Sequence, residues 1–291
     1  MDILTNYTFQ IVALGSVILA VAAAPVGAFS VYKGQSLIGD AIGHSTFPGI
    51  ILAYMAFATR SPVVLLAGAV TAGAASYALI QLAHKDKRLG LDANLAIFLS
   101  GFFGLGMALK SFIQGNPDYA GASQAGLGTY IFGQAAYMLE ADVLLIAAIS
   151  ALVLTLLLLF YKELKLFVFD AEYAEVVGLP CRLLNILLLV MTIAVIGIGI
   201  KAVGAILISS FLIIPCAAAN QWSNNLSRVL LLSSGIGAVS SLVGTYISTL
   251  EQGMSTGPSI ILVASLIAFF SIVFGTKGIL GRVLKRRDTH G

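Results

Sequence analysis

In the stretch SLIGDAIGHSTFPG, residues 36–49, an acid (Asp40) and an imidazole (His44) stand four residues apart. On a helix that spacing puts both side chains on one face. A carboxylate with an imidazole is an N/O ligand set. It suits zinc, manganese or ferrous iron, and lacks the soft sulfur that would favour copper(I). Two ligands are too few for a tight site, because zinc wants about four and manganese about six. A two-fold dimer would double the pair to two carboxylates and two imidazoles. The same two residues could instead form a hydrogen bond that stabilises a bundle, or a proton relay, and the pair alone leaves these readings open. Gly39 and Gly43, also four apart, are expected to leave an open, uncrowded face beside the pair. Pro48 and Gly49 allow a bend just after it.

The elements that must position this pair follow from composition. The chain has 291 residues, 59% hydrophobic and only 10% charged, with a mean hydropathy of +0.99. A soluble domain carries about 25% charged residues, so this chain cannot coat itself as a soluble globule does. Apolar runs of about 20 residues recur along its length, the mark of an all-α, polytopic membrane helix bundle. Candidate spans are 9–32, 37–58, 62–84, 92–113, 142–161, 182–202, 203–220, 226–250 and 257–276. All are read as helices, since hydrocarbon offers no water to open backbone groups. The weakest are 37–58 and 203–220, both polar, rich in small residues and interrupted by Pro48 or Pro215. Either could be a broken or re-entrant helix lining a cavity, so eight spans plus a re-entrant piece is the alternative to nine. With no long linker, residues 1–291 are expected to form a single transmembrane domain.

Ionisable groups inside a span cost about 2.5–3.5 kcal/mol and usually mark an ion or substrate path. The remaining charges are placed differently. The stretch HKDKRLG (84–90), Lys162, Lys165, Arg228 and the tail with Lys277, Arg282, Lys285, Arg286 and Arg287 are basic, hence cytoplasmic. The loop 114–140 carries acid and no base, hence lies outside, as does the loop around Glu251. This places the N-terminus outside and the C-terminus inside.

The segment 163–180 mixes acids with apolar residues on the cytoplasmic side. Within it DAEYAEVVG reads as a short helix: Asp170 is the N-cap, Glu172 and Glu175 sit toward the favourable N-terminal end, and Gly178 then Pro180 stop it. A helix lying against headgroups would be basic, because anionic lipid attracts cations. The acidity therefore favours docking to a protein through Asp170, Glu172, Tyr173, Glu175 and Gly178.

Other residues carry less. His84 and His290 fall in basic, solvated stretches, Lys110 and Lys201 can snorkel from span ends, and Asp92 is read as a helix cap. Cys181 and Cys216 fall in or beside apolar segments, with no structural disulfide expected, and Cys216 is read as a small packing residue. The many glycines within spans are read as sites of close helix approach. The acidic start of the chain does not read as a cleavable signal peptide. One short basic cluster gives no footing for nucleic-acid binding. No GxxxxGK[ST], G-x-S-x-G, H-E-x-x-H or C-x-x-C occurs, so neither ATP hydrolysis nor another catalytic role is expected of this chain.

The stretch GQSLIGDAIGHSTFPGIILAY resembles the signature of the manganese/zinc/iron ABC-transporter permeases, the ABC-3 family, which typically read G-x-S-L-x-G-D-A-x-x-H-x-x-x-P-G. The likeness continues in order through LDANLAIFLSGFFGLGMAL, GLGTYIFGQAA, FVFDAEYAEVVGL, VGAILISSFLIIPCAAA and STGPSIILVA, and so covers nearly the whole chain. Gly43 stands where the family often has serine, and Cys216 where alanine is common. The resemblance implies an importer of a divalent transition metal. It would hold two permease chains, identical or paralogous, two cytoplasmic ATPases and an extracellular or periplasmic metal-binding protein, all in or at the bacterial plasma membrane and its lipid. It implies that Asp40 and His44 lie on the metal path, with no cofactor permanently bound, and that 163–180 is the coupling segment seated on the ATPase. A secondary, ion-coupled metal transporter is the rival; it would show inverted repeats and several intramembrane acids. A membrane subunit without a transport path would leave Asp40 and His44 unexplained.

Overall fold

Backbone amides in hydrocarbon must bond within their own segment, and the chain meets that demand with helices. The computed structural model describes residues 6–59, 61–84, 90–116, 119, 135, 138–204, 207–250 and 254–280. The basic loop at 85–89, nearly all of the acidic loop at 117–137, Glu251 and the tail from 281 lie outside the described residues, as do the side chains of His84 and Lys201.

Eleven α-helices and no strand occur among the described residues. They are α1 (Tyr7–Tyr32), α2 (Ile38–Phe57), α3 (Pro62–His84), α4 (Leu91–Gly115), α5 (Glu140–Leu159), α6 (Tyr161–Phe169), α7 (Ala171–Val176), α8 (Cys181–Ala202), α9 (Ile208–Ala219), α10 (Leu226–Leu250) and α11 (Thr256–Phe274). Seven of these, α1, α3, α4, α5, α8, α10 and α11, are long and apolar enough to cross a membrane. The chain is a multi-pass helical membrane protein. Its outer faces carry exposed Leu144, Leu158, Leu231 and Phe269, as suits contact with acyl chains rather than water.

Of the four helices outside the seven, α2 and α9 are the two weak segments of the sequence, and α6 and α7 are the short helices that follow α5. The 20-residue α2 is long enough, but Asp40 and His44 lower its hydropathy; α9 has 12 residues. Neither proline breaks its helix, because Pro48 lies inside α2 and Pro215 inside α9. The interruption comes earlier, between α8 and α9, where Gly204 takes φ +100°. Segment 203–220 is therefore a short helix preceded by a break, and 37–58 is one continuous helix. Asp92 is not a cap: Gly90 is the N-cap of α4, and Asp92 lies in its first turn.

Helices α2 and α9 occupy the middle of the bundle. Helix α2 packs against α3, α4, α8 and α9, and α9 packs against α1, α2, α10 and α11. The α2–α3 crossing is as close as backbones permit. A Cβ on Gly49 would lie 2.1 Å from Gly68 O, and one on Gly68 would lie 2.4 Å from Gly49 O. Beside this crossing Ser45 Oγ meets Ser76 Oγ at 2.7 Å. Glycines in these spans act as contact points, as the sequence suggests.

Candidate metal path and docking helix

Over Ile38–Ile51 of α2 every residue is buried except Asp40 and His44. Their side chains keep 31% and 13% of their exposure, so the two ionisable groups stand at the one opening along an otherwise sealed stretch. His44 Nε2 lies 3.5 Å from Asp40 Oδ1, as i, i+4 placement requires. Gly39 and Gly43 do not form the uncrowded face expected of them. Both are buried, and a Cβ on Gly39 would sit 3.3 Å from Leu212 Cδ1 of α9. Their missing side chains let neighbours close in, and this packing leaves the pair as the opening.

The level of the pair follows from its neighbours. The His44 ring meets Phe103 edge to face, with centroids 5.0 Å apart. Phe103 is the midpoint of α4 and Gly73 the midpoint of α3, and a Cβ on Gly73 would lie 3.1 Å from Ile42 Cγ2. The turn carrying His44 is thus at half height, and Asp40 lies one turn nearer the start of α2.

Sequence reasoning missed two participants. Ser209 Oγ, in the first turn of α9, donates to Asp40 Oδ1 at 2.8 Å. Phe103 closes one side of the imidazole. The polar sequence of 203–220 hinted at a cavity lining, but a partner 169 residues away from Asp40 leaves no local signal. His44 Nδ1 is buried without a hydrogen-bond partner among the described residues. Among the described residues no group of three His, Cys, Asp or Glu gathers to hold a metal. One copy of the chain supplies an incomplete shell.

A second cluster lies at the opposite extreme of the design. Asp170 caps α7, its Oδ1 accepting from Tyr173 N at 2.9 Å. At the other end Gly178 takes φ +86°. Gly178 N donates to Glu175 O at 3.0 Å and Leu179 N to Ala174 O at 2.9 Å, a left-handed closure that favours glycine. Ala174 alone is buried. Glu172, Tyr173, Glu175, Val176 and Val177 are exposed, giving a small acidic and apolar surface. Pro180 follows as the N-cap of α8.

Helix α7 packs on its neighbours α6 and α8, and α6 is tied to the end of α1. The Tyr32 and Phe169 rings are 5.2 Å apart, and Tyr32 OH donates to Asn220 Oδ1 at 2.7 Å, at the foot of α9. Just past α1, Lys33 Nζ donates to Asn185 Oδ1 and lies 4.9 Å from the centre of the Phe167 ring. Asn185 Nδ2 donates to Tyr77 OH at 3.0 Å. Burial pushes the Lys33 ammonium down to about 8. Lys277 Nζ donates to Ser223 O at 2.7 Å at the same end.

A family model described as the ABC 3 transport family matches residues 5–275. The chain is 38% identical over 288 residues to the zinc transport system membrane protein TroC of Treponema pallidum, covering 99% of this chain and 96% of that one. It is 38% identical over 268 residues to the manganese transport system membrane protein MntC of Bacillus subtilis, covering 92% of this chain and 61% of that one. Among solved structures it is similar to PsaBC from Streptococcus pneumoniae in complex with Fab, with a TM-score of 0.84, 27% identity, and coverage of 98% of this chain and 96% of that one.

Proposed function

The chain belongs to the ABC 3 transport family, and from that premise we propose that it is the permease subunit of an importer that moves manganese, zinc or ferrous iron into the cytoplasm. It is a transport subunit, and ATP is hydrolysed by a separate cytoplasmic chain. The observation that carries the reading is the pair Asp40 and His44, the two open positions along the buried stretch Ile38–Ile51 at half height, in a chain alike over nearly its whole length to a zinc transport membrane protein.

The cargo is held briefly. A carboxylate and an imidazole from one chain bind a divalent ion weakly. Two permease chains meeting about a two-fold axis would offer both pairs to a partly dehydrated ion. A path site must also let its ion go, so an incomplete shell suits it better than a closed cage. The remaining roles follow from placement. Residues 1–291 act as one membrane domain. The end bearing Lys33, Lys162, Lys165, Arg182, Arg228 and Lys277 faces the cytoplasm, where α7 and its flanks at 163–180 seat the ATPase. An extracellular or periplasmic metal-binding protein delivers the ion to the opposite end. The host membrane is the bacterial plasma membrane.

The test is uptake of manganese, zinc and ferrous iron into vesicles carrying the permease with its ATPase and binding protein. Uptake is expected to need ATP, and Asp40→Asn and His44→Ala are each expected to abolish it while leaving insertion and ATPase binding intact. Uptake driven by an ion gradient without ATP would favour a secondary transporter. Wild-type rates in both variants would make the pair structural.

A further inference from the structure

We propose that Ser209 is a third donor of the cargo site and that it tilts the site toward manganese over zinc. The inference rests on the metal-path reading of Asp40 and His44 and names a residue and a selectivity that reading does not contain. Ser209 reaches the pair because α9 begins inside the bundle. The break after α8, with Gly204 at φ +100°, lets Ile208 start a new helix beside α2, and Ser209 is buried in its first turn.

The geometry suits a shared ion. Asp40 Oδ1 lies 2.8 Å from Ser209 Oγ and 3.5 Å from His44 Nε2. Donors about 2.1 Å from a common ion lie about 3.0 Å apart on adjacent octahedral vertices. The two separations fall on either side of that edge, so Asp40 has a potential co-ligand on each hand at close to the spacing a shared ion needs. A hydroxyl has one proton and two lone pairs, and the proton rotates to suit its surroundings. Without cargo the proton points at Asp40; with cargo it turns away and a lone pair faces the ion.

Donor number then sets preference. Asp40 and His44 taken from two chains give four donors, the number zinc favours. Adding Ser209 from each chain gives six, with four of them oxygen, which suits manganese. The hydroxyl is a hard donor and adds little for the softer ion. Losing it removes more from manganese than from zinc.

The experiment measures competing manganese and zinc uptake by the whole transporter in membrane vesicles. Ser209→Ala should lower the manganese-to-zinc uptake ratio about tenfold, the scale of losing one group at a metal shell, with zinc uptake retained. Ser209→Thr keeps the hydroxyl and should hold the ratio. Ser209→Cys keeps the size but offers soft sulfur, and should lower the ratio as well. Ser210→Ala, next in the chain, should leave it unchanged. An unchanged ratio in both Ser209→Ala and Ser209→Cys, or an equal fall for both metals, overturns the proposal and leaves Ser209 a structural tether. If Asp40→Asn and His44→Ala transport at wild-type rates, the underlying site reading fails first, whatever Ser209 does.

Discussion

The pair on α2 and the cap-bounded α7 are built on opposite principles. Helix α7 is made by its own sequence: Asp170 closes one end, Gly178 the other, and one buried alanine seats it. The Asp40–His44 opening is made by everything around it. It exists because α3, α4, α8 and α9 seal the rest of Ile38–Ile51, and its third polar group comes from a distant helix. The lesson is that a capped surface helix can be encoded in ten residues, whereas a polar opening inside an apolar bundle needs the whole bundle. Damage to the first should therefore stay local, and damage to the packing around the second should not.

The largest effect expected is the loss of the ATPase on reversing the charge of α7. Glu172→Lys with Glu175→Lys should abolish co-purification of the ATPase without lowering the permease's own Tm in detergent. Retained co-purification and normal transport would end the docking assignment. A drop in Tm would erase the contrast between a local and a distributed region.

Next comes the crossing beneath the ion path. Gly68→Val would force a Cβ to within 2.4 Å of Gly49 O and 2.6 Å of Ala53 Cβ, destabilising the bundle by about 3 kcal/mol. Thermal unfolding should show this together with lost uptake. The ATPase should remain bound at temperatures where the bundle still holds, because α7 keeps its own caps. An unaffected Tm would mean that the crossing has slack.

Removing the cap is milder. Asp170→Ala should weaken α7 by about 1 kcal/mol, seen as faster amide exchange confined to the residues of that helix. Exchange spreading into α2 would contradict the division between the two regions.

The smallest effect concerns Lys33, which lies between α6 and α8. Its value in the folded protein is about 8, against 10.5 ordinarily, because of burial. Below pH 8 the folded protein carries the full cost of the buried charge. Between pH 8 and 10.5 the folded protein sheds the proton while the unfolded chain keeps it, so stability rises with pH. The Tm of the wild type relative to Lys33→Met should climb over that window. A flat difference would place Lys33 in solvent.

How much of this was legible in sequence divides along the same line. Spans declare themselves by hydropathy alone, and the seven long ones lie close to their expected positions. The caps of α7 were legible because Asp170, Gly178 and Pro180 act on backbone within a few residues. Asp40 and His44 were legible because charge inside apolar sequence is conspicuous. Ser209 was not, since one serine among many small residues gains meaning only from what α9 is packed against. The prolines misled for a related reason. Proline removes one backbone donor, and neighbouring helices compensate, so Pro48 and Pro215 sit within continuous helices while the glycine at 204 marks the break. Gly39 and Gly43 looked like empty space in one dimension; in three both are buried, and the space beside Gly39 is taken by Leu212.

Helix α9 has a consequence for how the protein is made. Its 12 residues rise about 18 Å, well short of the roughly 30 Å of hydrocarbon, so it cannot leave the insertion machinery as a stable span of its own. It must wait, held by α8 before it and α10 after it, until α1 and α2 gather round. Biogenesis therefore has a final step that long helices do not share, the seating of a short one into a prepared slot. That step also brings Ser209 to Asp40 and Asn220 to Tyr32. A chain caught before it would lack both contacts, so on the proposed reading an unfinished molecule is also an idle one.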